Sequence, residues 1–85
     1  MWSTAFINKL PDSAFAVIVG GGTKDEDGKT TPRNLRKLPH HGASGAVDKP
    51  HLRNALSREP QTKMPAAAHA KAKAHLNRHA KAEGM

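Results

Sequence analysis

At 85 residues the chain has room for one small domain, and with 36% hydrophobic residues and three aromatics (Trp2, Phe6 and Phe15) its core is modest. The absence of cysteine excludes disulfides and thiolate metal sites, and the longest apolar run, residues 14–19, is far too short to cross a membrane. Fourteen Lys and Arg against seven Asp and Glu leave a charge of +7, a balance that favours polyanionic partners.

From the N-terminus, residues 1–13 carry large apolar side chains without a clean period and read as an irregular arm over the domain. Asp12 or Ser13 could cap a helical turn after Pro11. Residues 14–19, β-branched at their end, read as a buried strand. Residues 20–33 are rich in glycine and charge and should be the most mobile part. Residues 34–38 are the expected returning strand, stopped by Pro39. Segment 14–38 is then a hairpin with a long loop, which must pack on something apolar to be stable.

After a turn-rich connector, Asp48 is placed to cap a helix over 48–58, with Pro50 in its first turn, where the missing N–H costs nothing. Pro60 ends that helix, and a second, alanine-rich one is expected over 65–82, terminated by Gly84. Leu52, Ala55 and Leu56 form an apolar stripe on the first. Ala68, Ala72, Leu76 and His79 or Ala80 form one on the second. Leu52, Leu56, Leu76 and Phe15 are the expected centre of the core, in an α+β fold with the hairpin packed on the two C-terminal helices.

Six histidines raise the question of a metal. His75 and His79 stand at i, i+4, a spacing that can hold a divalent ion. No Glu follows His75 as in metalloproteases, and a third ligand would have to come from His69, His40 or His41. Histidines on an apolar stripe also serve as half-buried packing residues, so no metal and no cofactor are expected, with His75 and His79 as the candidate pair. Residues 25–28 lack the alternating acids and closing Glu of a calcium loop. Gly20, Gly21 and Gly22 lack the Lys-Ser/Thr of a phosphate loop. Ser13, Ser44 and Ser57 stand in no nucleophile motif, and so small a core leaves little room for a deep pocket. The chain reads as a non-enzyme.

The remaining signal is the distribution of charge. Residues 1–32 hold three basic and four acidic groups, whereas residues 33–81 hold eleven basic groups against Asp48 and Glu59 alone. On the helical pair Arg53, Ser57, Arg58, Lys71, Arg78 and Lys81 lie opposite or beside the apolar stripes, with Lys63 in the turn between. Arg36 and Lys37 belong to a second cluster on the hairpin. No aromatic accompanies these positions, so contact with a duplex backbone is expected rather than base stacking on single strands.

Three segments, residues 10–16 (LPDSAFA), 36–41 (RKLPHH) and 51–58 (HLRNALSR) with the later 75–79 (HLNRH), resemble a small domain that recurs in proteins of tailed bacteriophages and prophages. The resemblance spans about residues 2–81. It implies a module appended to head-maturation protease-like, structural or replication proteins, acting in the host cytoplasm or with the virion. No protease catalytic motif is present, so an enzymatic role would belong to a fused or neighbouring phage protein. Residues 48–81 are also similar in size to SAP-type DNA-binding modules, although residues 61–64 lack the glycine of the SAP turn. The expected function is a nucleic-acid-binding accessory module making mainly sequence-independent phosphate contacts to duplex DNA. The alternative is a protein-interaction or structural module that uses Trp2, Phe6 and the hairpin. No membrane partner is expected.

Overall fold

In a computed structural model, which describes residues 2–85, the first apolar side chains wind into a helix, α1 (Thr4–Lys9). Met1, the first residue of the expected arm, lies outside the described residues. The Ser3 hydroxyl caps α1 by accepting from the Phe6 amide at 3.1 Å. Six residues are too few to display a 3.6-residue period, which is why the sequence reads as an irregular arm there. A 3₁₀ turn over Asp12–Ala14 then leads into strand β1 (Phe15–Ile18).

The excursion expected to be mobile contains a second, smaller hairpin, β2 (Thr23–Lys24) against β3 (Thr30–Thr31). Asp25 organises its turn by accepting from the amides of Asp27 and Lys29, at 2.9 and 3.0 Å, and by pairing with Arg33 at 2.8 Å. Strand β4 (Arg36–Pro39) returns antiparallel to β1 in the register Phe15↔Pro39, Val17↔Lys37, Ile18↔Arg36. The two segments pair as expected, but Arg33–Leu35 form a 3₁₀ turn and Pro39 belongs to the strand rather than stopping it.

Asp48 caps α2 (Lys49–Arg58), accepting from the His51 amide at 3.1 Å, with Pro50 in the first turn. A 3₁₀ turn over Glu59–Gln61 separates it from α3 (Ala66–Ala82). The two helices pack on each other and on the β1–β4 ribbon, so the fold is α+β.

The core divides in two. Leu52 and Leu76 are fully buried with Ala16, Val17, Leu38, Ala55, Ala68 and Ala72 between the ribbon and the helical pair. Leu56, expected at the centre, lies half-buried at the edge of that cluster. Phe15 belongs to a separate cluster with Leu10 and Ala14, closed over by Trp2, Phe6, Ile7 and Ile18.

Arg36 joins α1 to the ribbon. Its guanidinium is buried and donates to the carbonyls of Leu10, Ile7 and Asn8, the last two at 3.1 Å. Those carbonyls lie at the C-terminal end of α1, where that of Ile7 also accepts from the Leu10 amide at 3.1 Å. The same group lies 3.5 Å from an Asp12 carboxylate oxygen and 4.3 Å above the Phe15 ring centroid. Asp12 in turn accepts from the Thr30 amide (2.9 Å) and hydroxyl (2.6 Å) and pairs with Lys24 at 3.3 Å. Burial alone would raise the Asp12 pKa, but the bonds from Thr30 and the Lys24 ammonium outweigh it and bring the carboxyl down to about 2.

Two outcomes follow from this network. Arg36→Ala removes the buried donor to the Asn8 and Leu10 carbonyls and one of two to Ile7, while Asp12 keeps Thr30 and Lys24. It should cost about 2–5 kcal/mol, enough to unfold much of a domain this small. Arg36→Lys should not rescue it, because an ammonium cannot present the same fork. An unshifted thermal melt of Arg36→Ala would show that the network contributes nothing. For Asp12, the unfolded chain takes up its proton near the usual 3.8 and the folded chain only near 2. Its contribution to stability is therefore complete above about pH 4 and lost as the pH falls towards 2, and Asp12→Asn should flatten the acid limb of stability against pH in that window.

Candidate metal centre and basic surface

Two pairs of histidines meet at the end of the ribbon. Strand β4 stops at Pro39 and delivers His40 and His41. Leu38, just before, holds a left-handed φ of 63°, a conformation costly for a branched side chain. The connector is pinned on both sides of His40, whose amide donates to the Ala14 carbonyl (2.9 Å) and whose carbonyl accepts from the Asp48 amide (2.8 Å). Beyond it the chain reverses through a tight turn in which Gly45, at φ 89°, takes the position a side chain would strain. Helix α3 supplies His75 and His79, one turn apart on one face.

One ligand atom from each of His40, His41, His75 and His79 lies within 4.8 Å of the others. His40 is fully buried and the other three are half-buried. The His40 Nδ1 is 3.0 Å from the Leu38 carbonyl, and the His41 Nδ1 is 2.9 Å from the Gly45 carbonyl. A carbonyl can only accept, so both Nδ1 atoms carry hydrogen, and in a neutral ring that leaves Nε2 with a free lone pair. The His40 Nε2 faces the His75 Nε2 at 3.1 Å.

Burial pushes the His40 imidazole down to about 4, with the other three histidines adding to the effect. His75 and His79 are lowered too, first by burial, then by neighbouring histidines and by the charge of Arg78. Around neutral pH these three rings are held neutral, the form that binds metal.

The two other histidines stand apart from this group. His69 Nδ1 lies 2.6 Å from the buried Glu59 carboxylate. The His51 ring stacks on Trp2, centroids 3.4 Å apart, and bonds Asp48. Thus His40 and His41, rather than His69, complete the set begun by His75 and His79.

Of the phosphate-contact positions read from the sequence, Arg53, Ser57, Arg58, Lys63, Lys71, Arg78 and Lys81 are exposed, and Lys37 is half-buried. Arg36 is not on the surface: it is consumed by the carbonyls at the end of α1. A count of charges along a sequence cannot separate a guanidinium that faces water from one that satisfies buried acceptors. Between β4 and α2 lies a cleft of about 450 Å³, lined in part by Lys37, Asn34, Asn54 and Arg58. It links the residual basic group of the ribbon to the basic face of α2.

No family model, curated protein or solved structure was found to match the chain. Among the described residues, no helix is long and apolar enough to cross a membrane.

The geometry fixes tautomers that solution measurements can read. In the metal-free protein the ¹⁵N shifts of His40 and His41 should report Nδ1–H imidazoles, the less common tautomer in water. Nε2–H at His40 would show that its bond to the Leu38 carbonyl is not formed.

Proposed function

We propose that the chain is a phage-encoded nucleic-acid-binding accessory module that contacts duplex phosphates through α2, the following turn and α3. The observation that carries this reading is the absence of internal counterions on that surface. Among the described residues, Arg53, Arg58, Lys63, Lys71, Lys73, Arg78 and Lys81 are exposed and form no ion pair within 4.0 Å. Of the seven acids, Glu26 and Asp27 lie in the turn between β2 and β3, Glu83 pairs with Lys49 at 4.0 Å, and the other four are engaged in the fold. Asp12 and Asp25 hold the N-terminal hairpins, Asp48 caps α2, and Glu59 is buried against His69. Exposed cations without partners are free to exchange their bound counterions for phosphates, and the release of those ions drives binding.

The likeness of residues 10–16, 36–41, 51–58 and 75–79 to a phage-borne domain supplies the biological setting: the host cytoplasm, beside or fused to another phage protein. The alternative, a protein-docking module working through Trp2 and Phe6, draws less support. Both rings pack inward, Trp2 on His51 and Phe6, and among the described residues Met85 is the one exposed large apolar side chain.

Duplex affinity should therefore fall steeply with salt, each neutralised phosphate contributing about −0.9 to the log–log slope. Changing Arg53 and Arg78 together to Ala should weaken binding about equally on unrelated sequences and flatten that slope by roughly 2, with the fold unchanged. Absence of duplex binding by the wild-type chain at low salt would end this reading and leave the protein-docking module in its place.

A further inference from the structure

We propose that His40, His41, His75 and His79 form a four-nitrogen structural zinc site that fastens the connector after β4 to helix α3. This inference is independent of the nucleic-acid reading and rests on four observations.

Donor placement comes first. A tetrahedral zinc ion with Zn–N bonds of about 2.0–2.1 Å needs its ligand atoms roughly 3.4 Å apart. The four imidazoles already gather their ligand atoms within 4.8 Å, with one pair at 3.1 Å, so closure onto an ion asks only for small side-chain adjustments. Second, the hydrogen bonds from His40 Nδ1 to the Leu38 carbonyl and from His41 Nδ1 to the Gly45 carbonyl are of the kind that orient metal-binding histidines. They fix the ring planes and leave Nε2 free to bind, and that of His40 faces His75.

Third, the donor set selects the ion. Four imidazole nitrogens with no oxygen ligand disfavour magnesium and calcium and suit borderline ions such as zinc. Four protein ligands also fill a tetrahedral shell, which marks a structural rather than a catalytic site. Fourth, the site stands where the fold is thinnest. Helix α3 offers the core Ala68, Ala72, Leu76 and Ala80, a single large side chain among four. A chain without cysteine has no disulfide to compensate, and small domains commonly use a metal for that purpose.

A packed cluster of neutral histidines is the competing account, since the rings already touch, with centroids 4.4–5.1 Å apart. Packing alone does not require that ligand atoms from two separate parts of the chain converge on one point, nor that carbonyls fix the tautomers of both connector histidines.

The test is titration of the full metal-free chain with zinc, followed by calorimetry and thermal melting. One ion per chain is expected, and at free zinc a hundred times the Kd the melting temperature should rise by roughly 10–20 °C. Because His40 is buried and its loss could unfold the domain, the variants are the half-buried His41→Ala and His79→Ala. Each should weaken zinc on the order of 100-fold, while His69→Ala should bind as wild type. Cobalt(II) added to the wild-type chain gives a readout that needs no variant: the strong visible bands of a tetrahedral ion are expected. The proposal is overturned by absence of one-to-one uptake, by uptake that both variants retain, or by the weak spectrum of six-coordinate cobalt.

Discussion

One buried guanidinium holds the N-terminal half of this protein together. Arg36 sits where α1 ends, and a helix end leaves carbonyl oxygens with no partner of their own. By donating to Asn8 and Leu10, and to Ile7 beside the Leu10 amide, Arg36 supplies donors to that helix end and fixes α1 to β4. The charge it brings inside must be balanced, and Asp12 does so while also receiving the amide and hydroxyl of Thr30. Through Asp12 the network reaches the second hairpin, and through the Phe15 ring below the guanidinium it reaches the smaller core cluster. Removing one partner of such a network costs more than the pair contributes, because the other is left buried and uncompensated.

The C-terminal half is built on a different economy. Helix α3 is alanine-rich, so the backbone favours the helix strongly while the side chains bury little area against the ribbon. Leu52 and Leu76, both fully buried, supply most of the large apolar contact between the helices. The same half gathers histidines where larger apolar side chains would otherwise sit. Burial of a titratable ring is costly if it must carry charge, and for His40 the cost is avoided because burial holds the ring neutral and its Nδ1 bonds the Leu38 carbonyl.

How much of this the sequence disclosed depends on the length scale of the signal. The β1–β4 pairing, the Asp48 cap and both long helices were legible because each rests on a local pattern: a β-branched run, an Asp followed by Pro in the first turn, an alanine stretch between Pro65 and Gly84. Helix α1 was not, since six residues make less than two turns, too few for its apolar side chains to show a helical period. Arg36 looked like a surface cation because its acceptors lie 26 to 29 residues away. The histidine site was half legible: the i, i+4 pair on α3 stands out, but its partner His40 sits 35 residues upstream of His75 and only the fold selects His40 and His41 over His69.

These structural devices also decide where charge is left over. The acids that organise the fold, Asp12, Asp25, Asp48 and Glu59, are each used for a hydrogen-bonded task, and two of them neutralise Arg33 and Arg36. What remains on the outer surface of α2, the turn and α3 is therefore almost purely cationic. Zinc bound by four neutral imidazoles would increase that excess, since the ligands bring no charge to offset the ion and Arg78 already lies close enough to act on His75 and His79. The metal and the polyanion would then be coupled through the field alone, without sharing a ligand. Each should favour the other, most strongly at low salt, and that coupling should fade as the Debye length shrinks below the distance from the histidines to the proposed phosphate contacts.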